Sequence, residues 1–263
     1  MDNINKTLYI PLYGKAYVSR RNLLLTDKTA ETIWEAEGFP LKGKAKSKWL
    51  AYNMGMRSAI FDRWTREKME VLPDAAVLHL GCGMDSRIHR VGGQAKQWID
   101  VDFPEVIAER KKYYTETEAY RMLGSDVREE VWLDSVSAEN AIVVMEGISM
   151  YLQPDALQSL MARLSSRFRK LHILMDSYTV FAAKATKYKN PINEVGVTQV
   201  YGFDDPAMPV CNTGITFVKE HVLTPEDMIQ ELPKREQGFF RLFFAGKAAK
   251  KIYRLYEYQK GTD

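Results

Sequence analysis

The sequence predicts an α/β fold in which an N-terminal helical segment precedes a doubly wound, mostly parallel sheet. Two observations support this fold. Apolar runs of strand length alternate with helical stretches from residue 75 onward, and the chain before residue 70 is predominantly helical in pattern. Strands that alternate with helices form a parallel sheet, and ligands bind such a sheet at the carboxyl ends of its strands. The residues that follow each apolar run are therefore the first candidates for a functional site.

The N-terminal segment, residues 1–70, is expected to form a helical lid on the substrate side, with residues 71–263 as a ligand-binding domain in one compact unit. Trp49, Arg57 and Phe61 recur at multiples of four and share one helical face. An arginine on an apolar face needs a partner. That partner is either an acidic neighbour or a ligand carboxylate, which a guanidinium holds through two parallel hydrogen bonds.

Two prolines mark helix starts in the second part of the chain. Pro104 and Pro154 each open a helical pattern, and proline is tolerated there because the first turn has no intrahelical acceptor for the missing N–H. The sequence therefore predicts buried strands at 76–80, 97–101, 141–145 and 171–175, and helices at 104–118 and 154–168.

The last third of the chain predicts one helix and two strands. The run 224–227 (TPED) has the pattern of a capping box with proline at the first helical position, in a helix that ends near Leu232. His221 is expected in the loop before this helix. The runs 241–246 and 252–258 are predicted as strands, the second near the edge of the sheet.

Composition limits the classes of function. Hydrophobic content of 46% and charged content of 27% are ordinary for a globular protein, and a net charge of +3 is too small to indicate a polyanionic partner, so no nucleic acid is expected. Cys82 and Cys211 belong to no C-x-x-C or His-Cys pattern, which predicts a reduced, cytoplasmic setting without a structural metal. The N-terminus lacks a signal peptide, and no run approaches the ~20 apolar residues of a membrane span, so no membrane partner is expected.

Two groups of basic residues could contact phosphates or an acidic substrate. We expect both to be solvated surface instead, because the chain as a whole is only weakly basic. The first group is Lys42, Lys44, Lys46 and Lys48, and the second is Lys247, Lys250, Lys251 and Arg254, beside Tyr253 and Tyr256.

The turn after the first predicted strand is the clearest functional signal. The strand ends in Gly81-Cys82-Gly83, and glycine permits positive φ and close approach of the backbone to a ligand. About twenty residues later the second strand ends at Asp102, whose carboxylate can accept hydrogen bonds from both hydroxyls of a ribose. The two signals together predict a site for a nucleoside cofactor.

The same turn favours S-adenosylmethionine over a dinucleotide. Dinucleotide sites prefer G-x-G-x-x-G, but the sixth position here is Ser86. Asp85 would repel a pyrophosphate, whereas it suits a cofactor that carries an ammonium and a sulfonium group. A nicotinamide-dependent oxidoreductase remains the alternative enzyme class.

Three ordered blocks resemble the leucine carboxyl methyltransferase family. Residues 81–91 (GCGMDSRIHRV) resemble its first motif, 99–107 (IDVDFPEVI) its E-V-D-x-P-x-V-I block, and 145–152 (MEGISMYL) its E-G-x-x-M-Y-L block. The resemblance covers roughly residues 8–180. It departs from the family pattern at Asp100, where glutamate is usual, and at Lys28, where proline is usual.

This resemblance implies a Rossmann-like class I methyltransferase fold with a seven-stranded sheet, S-adenosylmethionine as cofactor, and methylation of a carboxylate or hydroxyl. It also implies that Asp85 orders the turn and pairs with Arg57 or Arg90, and that Asp102 is better placed than Asp100 to hold the ribose. The implied roles are as follows: Lys15 and Arg57 bind the methionine carboxylate, Gly81 and Gly83 approach the cofactor, Asp102 holds the ribose, Asp126 and Val127 lie beside the adenine, and Glu146 faces the methionine ammonium group or the ribose.

The expected acceptor is a small molecule that bears a carboxylate or a hydroxyl. The sulfonium is already a good leaving group, so catalysis depends mainly on holding the acceptor oxygen in line with the methyl group. A carboxylate needs no general base, whereas a hydroxyl does, and Tyr151 and His221 are the candidates. The histidines and cysteines have no metal-site spacing. A non-catalytic binding module of the same fold is a further alternative.

Overall fold

The computed structural model describes residues 8–37, 41, 43–186 and 199–261. Helices α1–α3 precede a seven-stranded sheet whose parallel strands alternate with further helices. The helices are α1 (Tyr9–Ser19), α2 (Lys28–Glu37), α3 (Lys48–Val71), α4 (Arg87–Val91), α5 (Pro104–Arg110), α6 (Pro154–Arg167), α7 (Val180–Ala185), α8 (Glu226–Glu231), α9 (Lys234–Phe244) and α10 (Gly246–Lys250). The strands are β1 (Ala76–Leu80), β2 (Gln97–Asp102), β3 (Tyr120–Gly124), β4 (Asn140–Met145), β5 (Lys170–Tyr178), β6 (Thr216–His221) and β7 (Tyr253–Lys260).

The sheet has the strand order β3-β2-β1-β4-β5-β7-β6. Strands β1 to β5 are parallel, and β7 is antiparallel to both of its neighbours, β5 and β6. The direction of winding reverses between β1 and β4, because β2 and β3 lie on one side of β1 and β4 and β5 on the other. A crevice at such a reversal, at the carboxyl ends of the strands, is where ligands bind in open α/β sheets.

Alternation of side chains along the strands creates two cores. Val77 belongs to the core that the N-terminal helices cover, together with Phe61 of α3 and Phe240 of α9. Leu78 belongs to the opposite core, against Leu160 of α6. These five side chains are fully buried, and α1–α3 all contribute to the first core, so they are fixed over one face of the sheet rather than attached at its edge.

The parallel strands predicted from the sequence are confirmed. Each predicted run falls within β1, β2, β4 or β5, and proline begins both α5 and α6 as expected. The prediction of a helix to residue 118 was too long, since α5 ends at Arg110. Beyond it, the side chain of Tyr114 turns back and its hydroxyl donates to the carbonyl of Met84 at 3.1 Å, which closes the chain over the glycine turn.

Three predictions for the last third were wrong. The run 241–246 lies in α9 and α10 rather than in a strand, because an apolar run this short cannot be distinguished from part of a helix by its pattern alone. Pro225 itself precedes α8 without a capping hydrogen bond, and the Thr224 hydroxyl instead accepts from the N–H of Gly246 at 3.3 Å. His221 ends the edge strand β6 instead of lying in a loop, so the predicted strand at 252–258, observed as β7, is one position inside the edge.

Two further expectations concern a membrane-spanning segment and the first group of basic residues. No helix among the described residues combines the length and apolar character that crossing a membrane requires. Lys42 of the first basic group lies outside the described residues.

Candidate functional site

A cavity opens at the carboxyl ends of β1 and β4, where the topology predicts a ligand. The space between its lining atoms is about 900 Å³, open solvent at the mouth included. One wall is polar and contains the glycine turn. The other wall is formed largely by apolar and aromatic side chains from the N-terminal helices and from the ends of β5 and β7. Residues that line the cavity include Lys15, Leu50, Met54, Arg57, Gly81, Gly83, Asp85, Glu146, Tyr151, Tyr178 and Tyr253.

Glycine is required at two positions of the turn by backbone conformation. Gly81 and Gly83 have φ values of +64° and +51°, which an L side chain rarely adopts. A Cβ atom at Gly81 would also lie 2.6 Å from the Cδ1 of Ile148. The turn thus follows β1 with the backbone exposed to the cavity, as the sequence predicts.

Asp102 lies behind this turn, at the end of β2. Its Oδ2 accepts from the N–H of Gly83 at 2.7 Å and its Oδ1 from the N–H of Phe103 at 2.8 Å. Burial raises the pKa of this carboxyl to about 6 against the lowering effect of those two N–H donors. Asp102 is therefore a buried acceptor without a cationic side chain in direct contact, and it does not itself line the cavity.

Asp100, the other carboxylate of β2, is fully engaged in the core. Its Oδ2 accepts from Arg110 Nε at 3.0 Å and from the Tyr120 hydroxyl at 2.6 Å, and its Oδ1 accepts from the Trp98 indole at 2.9 Å. These contacts favour Asp102 over Asp100 for a ligand, as the sequence analysis expects.

Arg57 extends from α3 into the cavity wall and is held by acids. Its Nε donates to Glu146 Oε1 at 3.0 Å, and its Nη1 donates to Asp176 Oδ2 at 3.0 Å and to the Tyr253 hydroxyl at 2.7 Å. Burial alone would lower the pKa of Arg57, but Tyr253 and the two carboxylates raise it well above its usual value. Both alternatives from the sequence thus have support: two nitrogens have protein partners, and Nη2, beside Gly147, makes no hydrogen bond within the described chain.

Glu146, at the end of β4, lies between two guanidinium groups. Its Oε1 accepts from Arg57, and its Oε2 from Arg87 of α4. Burial would raise the pKa of Glu146, but Arg57 and Arg87 lower it to about 2. The side chain is therefore a permanent anion at the cavity wall.

Asp85 orders the glycine turn through several cations at once. Its carboxylate contacts Lys15 at 3.2 Å, Arg90 at 2.9 Å and Arg87 at 3.2 Å. The predicted pairing with Arg90 is confirmed, and Arg57 is not its partner in the described structure. Lys15 has Asp85 as its ion-pair partner and lines the cavity.

These contacts join into one buried ion network that links α1–α4 to the sheet. The described members have side chains no more than 8% exposed, and the carboxylates outnumber the cations by one. Such a site suits a ligand whose ammonium and sulfonium exceed its single carboxylate. The carboxylates are Asp27, Asp62, Asp85, Glu146 and Asp176, and the cations are Lys15, Arg57, Arg87 and Arg90.

The adenine candidates lie apart from the cavity lining. Asp126 accepts from the N–H and from the side chain of Arg128, both at 2.9 Å, and Val127 is buried in the core beside α6. The structure brings them to the end of β3, next to the end of β2. Their side chains do not meet Arg57 or Glu146.

The two candidate bases differ in position. Tyr151 follows β4 and lines the cavity. His221 lies at the end of β6, where its Nε2 is 2.7 Å from Glu257 Oε2, and it is not part of the lining. The geometry therefore supports Tyr151 and gives His221 no contact with the site.

Sequence reasoning missed Asp176, Tyr253 and Arg87. Asp176 follows the apolar run 171–175 just as Asp102 and Glu146 follow theirs, so the strand-end rule could have found it. Burial raises its pKa to about 6 despite the adjacent Arg57. Its Oδ2 accepts from the Tyr253 hydroxyl at 2.8 Å. Tyr253 comes from β7, and no sequence signal joins it to this site.

No group of histidine, cysteine and carboxylate side chains suited to a metal ion occurs in the described part of the chain. Each carboxylate at the cavity wall instead has a cation or backbone N–H as its partner.

Comparison with known proteins identifies relatives of the chain. The leucine carboxyl methyltransferase family profile matches residues 10–165. The tetracenomycin polyketide synthesis O-methyltransferase TcmP of Streptomyces glaucescens is 30% identical over 209 residues, which cover 78% of this chain and 77% of TcmP. The S-adenosyl-L-methionine-dependent methyltransferase dpfgK of Gibberella zeae is 28% identical over 166 residues, 57% of this chain and 56% of that protein.

Solved structures share the fold at low sequence identity. Magnesium protoporphyrin IX methyltransferase from Synechocystis PCC 6803, crystallised with bound SAH, has a TM-score of 0.55 and 9% identity, with 89% of this chain and 95% of that chain covered. An S-adenosylmethionine-dependent methyltransferase from Mesorhizobium loti has a TM-score of 0.52 and 10% identity, with 76% and 98% covered. The predicted class I methyltransferase sheet, with its antiparallel final pair, is confirmed.

Proposed function

Because this chain belongs to the leucine carboxyl methyltransferase family and is an S-adenosylmethionine-dependent methyltransferase, we propose that it methylates an oxygen atom of a small, largely apolar molecule. The observation that carries this proposal is the two-sided cavity, polar at the glycine turn and apolar opposite it. Family membership and the broken dinucleotide pattern at Ser86 both favour methyl transfer over nicotinamide chemistry.

The polar wall fits the methionine half of the cofactor. Arg57 Nη2 and the Lys15 ammonium are the donors for its carboxylate, and Glu146 is the acceptor for its ammonium group. Asp102 is the acceptor for the ribose hydroxyls, and Asp126 with Val127 would border the adenine. The bound cofactor supplies an electrophilic methyl group on a sulfonium. The protein's part is to hold and orient the two reactants.

The apolar wall defines the acceptor. Leu50 and Met54 come from α3, Tyr151 from the turn after β4, and Tyr178 and Tyr253 from the ends of β5 and β7. Aromatic and thioether side chains bind planar or apolar ligands, and the tyrosine hydroxyls can orient a polar substituent. We therefore propose that α1–α3 form the substrate side of the site, and that the acceptor is a small molecule rather than a nucleic acid.

Whether the reaction needs a general base depends on the acceptor group. A carboxylate acceptor is already ionised and needs only orientation in line with the methyl group. A hydroxyl acceptor must lose its proton, and Tyr151 is the candidate that lines the cavity. TcmP is an O-methyltransferase of polyketide synthesis, which supports oxygen as the acceptor atom here.

The proposal predicts where a labelled methyl group goes. The enzyme, incubated with methyl-labelled S-adenosylmethionine, should label an organic extract of small molecules and leave total cell RNA unlabelled. Asp102→Asn should reduce the transfer, since the amide replaces one acceptor oxygen. Alkaline hydrolysis then identifies the acceptor group: a methyl ester releases labelled methanol, whereas a methyl ether retains the label.

Label in RNA would contradict the small-molecule assignment. Replacement of Lys42, Lys44, Lys46 and Lys48 by serine gives the matched control, because an RNA substrate held by this basic run would lose transfer in that variant. Methyl transfer to a small apolar acceptor should be unchanged in that variant.

A further inference from the structure

The surface of α9 and α10 combines exposed aromatic side chains with concentrated positive charge. We propose that this basic-aromatic surface, formed by Phe239, Leu242 and Phe243 with Lys247, Lys250 and Lys251, docks the enzyme on an anionic lipid membrane. No membrane partner is expected from the sequence, because no apolar run is long enough to span a bilayer, but a surface contact needs no such run.

The apolar part of the surface is contiguous and exposed. Phe239, Leu242 and Phe243 are 47%, 70% and 55% exposed, and their spacing places them on one face of α9. Phe240, which is fully buried, anchors the adjacent face of α9, and the Trp49 ring lies 4.8 Å from that of Phe239. Single exposed apolar residues are common, but a cluster of large ones on one helix face marks an interaction site.

The charge of this region differs from that of the rest of the chain. Residues 234–251 contain six basic residues and one acidic residue, a net charge of +5, whereas the whole chain has +3. The one acid, Glu236, is already bound to Lys48 at 2.9 Å and to the Tyr52 hydroxyl at 2.7 Å. Arg241 pairs with Glu226, and Lys250 lies 3.6 Å from Glu220. Among the described residues, no carboxylate pairs with Arg235, Lys247 or Lys251. The exposed phenylalanines are thus bordered by more cations than local counter-charges.

The positive charge of the basic-aromatic surface favours an anionic membrane over a second copy of the chain as its partner. A second copy of the chain would bring the same positive surface against its own image, which repels. An anionic membrane offers both negative headgroups and an apolar layer, and an amphipathic helix with Phe and Leu among Lys and Arg binds at that boundary. The three apolar side chains project from a helix, and none of them lines the cavity.

The basic-aromatic surface lies next to the cavity wall, so membrane docking would have a functional consequence. Trp49 precedes Leu50 of the cavity wall, and Ile252, which is 50% exposed, precedes Tyr253 of the same wall. Docking would therefore place the cavity mouth near the bilayer, where apolar acceptors concentrate. That consequence rests on the proposed function, whereas the membrane contact itself does not.

Vesicle flotation with the purified full chain tests the contact independently of methyl transfer. Vesicles of phosphatidylcholine alone are compared with vesicles that contain about one third phosphatidylserine, the anionic lipid of cytoplasmic leaflets. The parent should bind the anionic vesicles and be released as salt rises. The triple variant Lys247→Ser/Lys250→Ser/Lys251→Ser should bind about 100-fold more weakly, since each lysine near a membrane surface contributes about fivefold. The variant Phe239→Ser/Leu242→Ser/Phe243→Ser should lose binding to a similar extent.

Val71→Ser/Val131→Ser is the matched control, because these two valines are exposed elsewhere on the chain. It should bind vesicles as the parent does, and all variants should bind S-adenosylhomocysteine normally, which shows that they are folded. The proposal fails if the parent ignores anionic vesicles, if it binds both vesicle types equally, or if the aromatic variant binds like the parent. Retention on immobilised polyglutamate without vesicle binding also overturns it, in favour of an acidic protein partner.

Discussion

Arg57→Ala is expected to lower the free energy of unfolding by about 3–5 kcal/mol, because removal of one partner leaves buried charges uncompensated. The sequence alone predicts that the fold survives this change with a loss of cofactor affinity only. The structure adds a stability cost, since Glu146 and Asp176 would both lose their contact with Arg57. Affinity for S-adenosylhomocysteine should fall by on the order of 10–100-fold, the cost of a hydrogen bond to a charged group.

Arg63→Ala is the matched control for this prediction. Arg63 lies on the same helix, but it is 57% exposed and its contact with Asp227 is 3.4 Å long. Exposed pairs contribute little, so its urea unfolding midpoint should match that of the parent. If Arg57→Ala unfolds at the same urea concentration as Arg63→Ala, the buried network does not stabilise the protein.

Gly81→Ala is the second change with a large expected effect. Alanine at φ +64° is strained, and its Cβ would clash with Ile148, 2.6 Å away at the nearest atom. Together these effects should lower the free energy of unfolding by about 2–4 kcal/mol and weaken cofactor binding by displacing the turn. Urea unfolding and calorimetry of the same preparation measure both quantities.

Gly93→Ala controls for the removal of a glycine in itself. A Cβ at Gly93 would meet no atom within 4 Å, and its φ is not positive. Its stability should stay within about 0.5 kcal/mol of the parent, as is usual for surface substitutions. Equal losses in the two alanine variants would show that the turn conformation at Gly81 is not the cause.

The sequence predicts the central part of the fold well because there the physical signals agree. The runs around Leu78 and Val143 are apolar on both faces, as strands covered on both sides must be, and prolines fix two helix starts. The last third was less predictable. The helical period of α9 is visible only when the sequence is read from residue 234, whereas the run 241–246 alone is too short to distinguish a helix from a strand.

Some residues of the candidate site could likewise be predicted from the sequence, and others could not. Gly81, Gly83, Asp102 and Glu146 follow apolar runs, so the topology alone brings them to one edge of the sheet. Tyr253 enters this site through the antiparallel return of β7, which depends on tertiary pairing with β5. The pairing of Arg57 Nε and Nη1 with acids could not be predicted either, because the two carboxylates lie 89 and 119 residues away in the sequence.

The most direct test of the account is calorimetric titration of the parent protein with S-adenosylhomocysteine in the presence of a metal chelator. In this experiment the ion network and the glycine turn should hold the cofactor without a metal. We expect binding with a stoichiometry of one, and no heat from NAD under the same conditions. Absence of heat with S-adenosylhomocysteine, or binding of NAD in its place, would contradict it.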